Sequence, residues 1–152
     1  MAAIKIGDNA PEFTLPSAEG EKISLGDFAG KKIVLYFYPK DDTPGCTKEA
    51  CSFRDNLVRV QRKGAIVLGI SADSVKSHQQ FTKKYDLPFP LLSDEGKDVL
   101  NAYGVWKKKS FIGKSFMGIE RTTVIIDEEG KITHIFPKVK VDGHVDEVLK
   151  VL

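Results

Sequence analysis

Tyr36-Phe37-Tyr38-Pro39-Lys40-Asp41-Asp42-Thr43-Pro44-Gly45-Cys46-Thr47-Lys48-Glu49-Ala50-Cys51-Ser52-Phe53-Arg54 runs from the end of an apolar strand, through a turn, into a helix that holds both cysteines of the chain. The lead-in, Ile33 to Phe37, is a continuous apolar run, as expected of a central strand covered on both faces. Pro39 ends the strand. In the turn Thr43-Pro44-Gly45, the threonine suits an N-cap and the proline a first helical position, so Cys46 falls in the first helical turn. There the backbone N–H groups lack partners and the helix dipole presents its positive end. Both favour a thiolate over a thiol, and Cys46 reads as a nucleophile. Cys46, Ala50, Phe53, Leu57 and Val60 recur at helical spacing, which places Cys46 on the core-facing stripe. Cys51 falls off that stripe, among Thr47, Lys48, Arg54 and Asp55.

Outward from this stretch, Lys63-Gly64 closes the helix and Ala65 to Ser71 reads as a second buried strand. Strand, helix and strand form a right-handed parallel unit. Ser71 to Ser74 caps a helix running to about Tyr85, Leu91-Leu92 is a brief strand, and Glu95 to Tyr103 a short helix. Gly104 to Gly118 reads as a loop or irregular hairpin, and Thr122 to Asp127 pairs with Lys131 to Phe136 across Glu128-Glu129-Gly130. The final helix turns Val145, Val148, Leu149 and Leu152 inward. Upstream, Phe13 to Leu15 and Lys22 to Leu25 form an N-terminal β-hairpin. The order predicts an α/β protein of thioredoxin-like fold, with a central mixed β-sheet flanked by helices and an N-terminal hairpin extension. The turn before Cys46 then lies at the carboxyl end of a central strand, where open α/β sheets place their sites.

A chain of 152 residues is long enough for one domain with a real core and too short for two of ordinary size, so 1–152 is read as a single domain. Its formal charge of +2 is too small to imply nucleic acid or an anionic membrane as a general partner. No segment reaches the length of a membrane span, and Met1 to Asp8 lacks the apolar core of a signal peptide, which predicts a cytoplasmic location. In a reducing compartment two cysteines favour redox chemistry over a permanent staple.

Residues five apart on an ideal helix differ by about 140° in azimuth and about 7.5 Å in rise, a Cα separation of roughly 8 to 9 Å. A disulfide tolerates at most about 7 Å. Cys46 and Cys51 therefore cannot be bridged while the helix is intact, yet they meet easily once it unwinds. This geometry suits a switch and differs from the two-residue spacing of thioredoxin-type exchangers.

Pro39, Thr43 and Cys46 stand at the spacing of the peroxiredoxin signature, P-x-x-x-[ST]-x-x-C, and the chain resembles that family. Pro44 to Cys51, Tyr103 to Trp106 and Met117 to Thr123 are similar to the subfamily called bacterioferritin comigratory protein or peroxiredoxin Q. The resemblance implies that Cys46 attacks the terminal oxygen of a hydroperoxide and becomes a sulfenic acid. It implies that the Thr43 hydroxyl holds thiolate and substrate, that Arg121 stabilises the thiolate and the breaking O–O bond, and that Pro39 shields the pocket from water. It further implies that backbone N–H groups near Gly45 and Cys46 supply donors and that Glu49 orients Arg121. Cys51 is implied as the resolving cysteine, closing an intramolecular disulfide that thioredoxin or a similar dithiol donor reduces. The substrates implied are hydrogen peroxide and organic hydroperoxides, handled by a monomer without a cofactor. From the residues alone, an arginine just before a central strand can reach a helix start across the same sheet edge.

Two other readings compete. One is a thioredoxin-like disulfide exchanger with wider cysteine spacing; the other is a non-enzymatic binding module whose cysteines sense oxidation. No metal site is expected, because the cysteines lack the close pairing of zinc ligands and His78, His134 and His144 fall on separate elements. The lysines Lys107 to Lys109, with Trp106, Phe111 and Phe116, read as a solvated loop with apolar anchors. Asp41 and Asp42 are adjacent carboxylates in a turn and not a spaced acid/base pair.

Overall fold

The apolar run after Lys31 forms β3 (Lys32–Phe37), the middle strand of a five-stranded sheet. The structure, a computed structural model, describes residues 4–152, so the first three positions of the Met1 to Asp8 stretch lie outside the described residues. On one side β3 pairs in parallel with β4 (Ala65–Ser71), which pairs in parallel with β5 (Leu91–Ser93). On the other side β3 pairs antiparallel with β8 (Thr122–Ile126), which pairs antiparallel with β9 (Ile132–Phe136). This is the mixed sheet expected from the order of elements. The period-two alternation of β3 sends Ile33, Leu35 and Phe37 to one core and Val34, Tyr36 and Tyr38 to the other, all buried.

The first core is closed by the N-terminal hairpin of β1 (Thr14–Pro16) and β2 (Lys22–Ser24), by Leu25 and by Leu100 of α4 (Asp98–Ala102). The second is closed by α1 (Pro44–Asp55), α2 (Leu57–Arg62), α3 (Val75–Tyr85) and α5 (His144–Val151). Tyr36 lies across the sheet beneath α1, stacked on Phe53 at 4.9 Å and on Tyr38 at 5.4 Å. Gly69 makes room for it: a Cβ there would sit 2.9 Å from the ring and 2.8 Å from Leu91.

Three elements differ from the sequence expectation. The helix after Pro44 is broken at Asn56, whose backbone (φ −112, ψ 10) leaves the helical region, giving α1 and α2 where one stripe was read; Cys46, Ala50, Phe53 and Val60 still face the core. The helix expected from Glu95 starts only at Asp98, because Lys97 is left-handed (φ 65). Gly104 to Gly118 is a regular hairpin, with β6 (Trp106–Phe111) paired to β7 (Lys114–Ile119) from Trp106↔Ile119 to Phe111↔Lys114. Ile112 and Gly113 both take positive φ at its tip, the demand of a two-residue hairpin turn. Its residues are mostly exposed, so no alternating apolar face marked the strands in sequence.

Candidate active site

Cys46 lies where its local sequence places it. Thr43 occupies the N-cap with extended backbone (φ −99, ψ 156), Pro44 starts the helix, and the Thr47 N–H closes the first turn on the Thr43 carbonyl at 2.8 Å. Pro44 has no N–H to offer, and Gly45 and Cys46 have no intrahelical acceptor four residues back, so their donors point out of the helix start beside the sulfur. Cys46 is buried, 1% exposed, within the second core.

The register of β3 and β8 brings the cation. Phe37 pairs with Thr122, so Arg121, one residue earlier on an antiparallel strand, sits beyond the carboxyl end of β3, where the chain turns into α1. Val139 N–H donates to the Arg121 carbonyl at 2.9 Å, and Glu120 N–H to the Val105 carbonyl at 2.8 Å, which hold this backbone on both sides. Arg121 Nη2 donates to Cys46 Sγ at 3.3 Å, and Nη1 to Glu49 Oε1 at 2.7 Å. The planar guanidinium thus bridges two residues one helical turn apart, which a lysine ammonium has no fork to do. Gly45 lets it come this close. A Cβ at that position would meet Nη2 at 3.1 Å, a tight contact that pushes the cation from the sulfur.

Glu49 is almost wholly buried, and its second oxygen, Oε2, has no hydrogen-bond partner in the protein. Burial pushes its carboxyl up from 4.5 to about 7, against the pull of Arg121. Arg121 loses hydration on burial, but the neighbouring Glu49 and Cys46 outweigh that loss and raise its pKa above the ordinary value. The stability consequence has a definite sign. The unfolded chain ionises Glu49 near 4.5 and the folded chain only near 7, so its contribution is greatest below 4.5 and is lost as pH rises toward 7. The loss is on the order of 3 kcal/mol. Denaturant unfolding across this range should show the wild type losing stability relative to Glu49→Gln as pH rises; a pH-independent difference between the two would refute the shift.

Thr43 sits at the N-cap position, but its side chain makes a contact other than a cap. Its hydroxyl neither caps the helix nor points its hydrogen at Cys46; it donates to the Lys40 carbonyl at 2.8 Å. With that hydrogen engaged, the oxygen remains as an acceptor toward an incoming O–H. Pro39 is half-buried in the loop between Tyr38 and Thr43. Cys51 is half-buried, Cys46 is buried, neither thiol is bridged, and α1 is continuous from Pro44 through both. This is the ordered, unbridged form.

Sequence reading missed a second polar group nearby. Asp41, set aside as a turn carboxylate, is buried and lies 2.6 Å from His78, with Asp73 alongside. The three fall on separate elements with no shared motif, so only the loop's return over α3 reveals them.

Residues 6–135 match the family described as AhpC/TSA. The chain belongs to the AhpC/TSA family. Among relatives, a Coxiella burnetii protein is 60% identical over 97% of this chain and 97% of its own, and peroxiredoxin Bcp of Escherichia coli is 47% identical over 98% and 96%. Among solved structures, one described as concerning the alkyl peroxide reduction activity of the bacterioferritin comigratory protein of Xanthomonas campestris superposes with a TM-score of 0.90. It is 40% identical to this chain and covers 99% of it and 96% of its own. The thioredoxin-like fold class and the peroxiredoxin Q resemblance are both borne out for this AhpC/TSA chain.

Proposed function

We propose that this chain is a thiol peroxidase that reduces hydrogen peroxide and organic hydroperoxides. The observation that carries it is Arg121 Nη2 at 3.3 Å from Cys46 Sγ at a helix start, a cation and free donors around a sulfur in a thioredoxin-like peroxiredoxin frame. Cys46 thiolate attacks the terminal peroxide oxygen. An S–O bond forms, the O–O bond breaks, and the departing oxygen takes a proton to leave as water or alcohol. Arg121 and the Gly45 and Cys46 N–H groups face the charge that develops on those oxygens. Thr43 Oγ1 accepts from the O–H of the bound hydroperoxide, and Pro39 keeps water from the pocket.

In the second step the Cys51 sulfur attacks the sulfenic sulfur, forming the S–S bond and releasing water. Helical spacing keeps the two apart while α1 is intact, so its first turns unwind for this step. A thiol reductant then restores both thiols, and we assign thioredoxin or a similar dithiol to that role. A monomer of one domain over 1–152, acting in the cytoplasm, fits the mixed surface charge and the pair of free cysteines; among the described residues no helix is long and apolar enough to cross a membrane.

Cys51→Ser tests the resolving role. It should still consume one equivalent of peroxide, fail to turn over with thioredoxin, and accumulate sulfenic or sulfinic Cys46 by mass spectrometry. Thioredoxin-driven turnover at the wild-type rate in this variant would rule Cys51 out.

A further inference from the structure

Asp41 is the most heavily bonded side chain of the loop that leads to Cys46. Its Oδ1 accepts from Tyr38 Oη at 2.5 Å, and its Oδ2 accepts from Ser77 Oγ at 2.8 Å and lies 2.6 Å from His78 Nδ1. Its N–H donates to Asp73 Oδ2 at 2.8 Å. His78 is wholly buried, and its Nε2 is 2.9 Å from the Leu92 carbonyl. A carbonyl only accepts, so Nε2 carries a hydrogen; a carboxylate also only accepts, so at 2.6 Å one further hydrogen lies between ring and carboxylate. The ligand atoms of Asp41, Asp73 and His78 lie within 4.8 Å of one another. Asp73 Oδ2, however, already accepts from Ser71 Oγ and the Asp41 N–H, and the group is satisfied as a hydrogen-bond network.

The network ties the loop to α3. Asp42, in the left-handed conformation (φ 54), adds bonds from Lys84 Nζ at 2.8 Å and Tyr85 Oη at 3.0 Å. Downstream of the cysteines the chain is held again: Phe53 is fully buried on Tyr36, and Arg54 Nη1 donates to the Tyr85 carbonyl at 2.6 Å. Cys46 and Cys51 therefore lie between two attachments to the same helix. The stretch that must unwind for them to meet is bracketed by Asp41 on one side and Phe53-Arg54 on the other.

We propose that Asp41 and His78 are positioning residues that fix the upstream end of the unwinding segment, presenting Thr43 as N-cap and returning Cys46 to Arg121 after each cycle; the cycle itself rests on the peroxidase reading above. A buried, fully paired network at this point confines melting to the helix between the attachments. Without it, Thr43 is no longer held at the N-cap, the first turns of α1 open more often, and Cys46 spends less time against Arg121. Oxidation by peroxide then slows while the unwinding that admits Cys51 does not, and the two steps shift apart.

The test compares Asp41→Ala with Asp41→Asn in the full reduced chain. Asparagine keeps an acceptor for Tyr38 Oη and offers an N–H to the ring nitrogen of His78, losing only the bond from Ser77 Oγ, so it is expected to rescue to within about the threefold rise of Ser77→Ala. In Asp41→Ala, amide hydrogen exchange over Gly45 to Glu49 should rise about tenfold or more while α5 keeps its protection. Cys46 oxidation should slow by about tenfold or more, with disulfide closure as fast as in the wild type or faster. Should Asp41→Ala not fold, Ser77→Ala removes one donor to Asp41 and should raise the same exchange about threefold. Wild-type exchange over Gly45 to Glu49, equal gains over α1 and α5, or no rescue by asparagine would each overturn the assignment. The exchange arm needs no peroxide, so a wild-type chain inert to peroxide would sink the peroxidase reading while the anchor is still judged on exchange.

Discussion

Cys46→Ser is expected to abolish peroxide reduction altogether while leaving the fold intact. Serine fills nearly the same volume, so Ala50, Phe53 and Tyr36 keep their packing around the position. The chemistry does not survive, because a neutral hydroxyl lacks both the negative charge and the polarisable lone pairs that open an O–O bond. Stopped-flow fluorescence with Trp106, the single tryptophan, reports the reaction on mixing with stoichiometric peroxide. The wild type should react at least about 10³-fold faster than free cysteine, given the donors around the sulfur, and the variant not at all. A wild-type rate close to that of free thiol would remove the peroxidase assignment and return the chain to the disulfide-exchanger or redox-sensing reading.

Arg121→Met carries the second-largest expected effect, and it acts on two observables. Catalytically it removes the cation at 3.3 Å from Cys46 Sγ, which in the proposed reaction gains interaction with the peroxide oxygens as charge leaves the sulfur for them. A loss of about 10² to 10³ in kcat/KM is expected. Structurally it leaves Glu49, 1% exposed, without the partner at 2.7 Å. Removing one member of such a buried pair costs about 3 kcal/mol or more at a pH where the carboxyl is ionised, and less where it is protonated. Arg121→Lys separates the two effects: it keeps a charge for Glu49 but has no fork to reach the sulfur as well, so it should recover stability more than rate. Activity of Arg121→Met within threefold of wild type would show that the guanidinium seen against Cys46 plays no part in the reaction.

Much of this site was legible in the local chain. Thr43-Pro44-Gly45 marks a helix start, the spacing from Cys46 to Val60 marks the buried stripe, and five-residue separation keeps Cys46 and Cys51 apart; each depends on neighbours within one or two turns. The β6–β7 hairpin was legible only as a loop or irregular hairpin, because strands with little buried face carry no alternation. The hydrogen bond that the Thr43 hydroxyl donates to the Lys40 carbonyl was not legible either. Its acceptor, the Lys40 carbonyl, lies across Asp42, whose left-handed backbone (φ 54) no turn signal announced.

By itself the sequence determined the strand, the turn and the helix from Ile33 to Arg54, and with them a cysteine at a helix start and a second one that cannot meet it until the helix unwinds. These follow from backbone sterics and helical periodicity, which act over a few residues. Only the tertiary structure decided the contacts around the sulfur that the resemblance implied. The antiparallel register of β3 and β8 carries Arg121 across 75 residues of chain to Cys46, and Gly45 leaves the space for it. The packing of α3 against the loop carries His78 to Asp41 across 37. Such long-range partners are chosen by sheet pairing and by the need of buried polar groups for one another, and neither leaves a local mark on the chain.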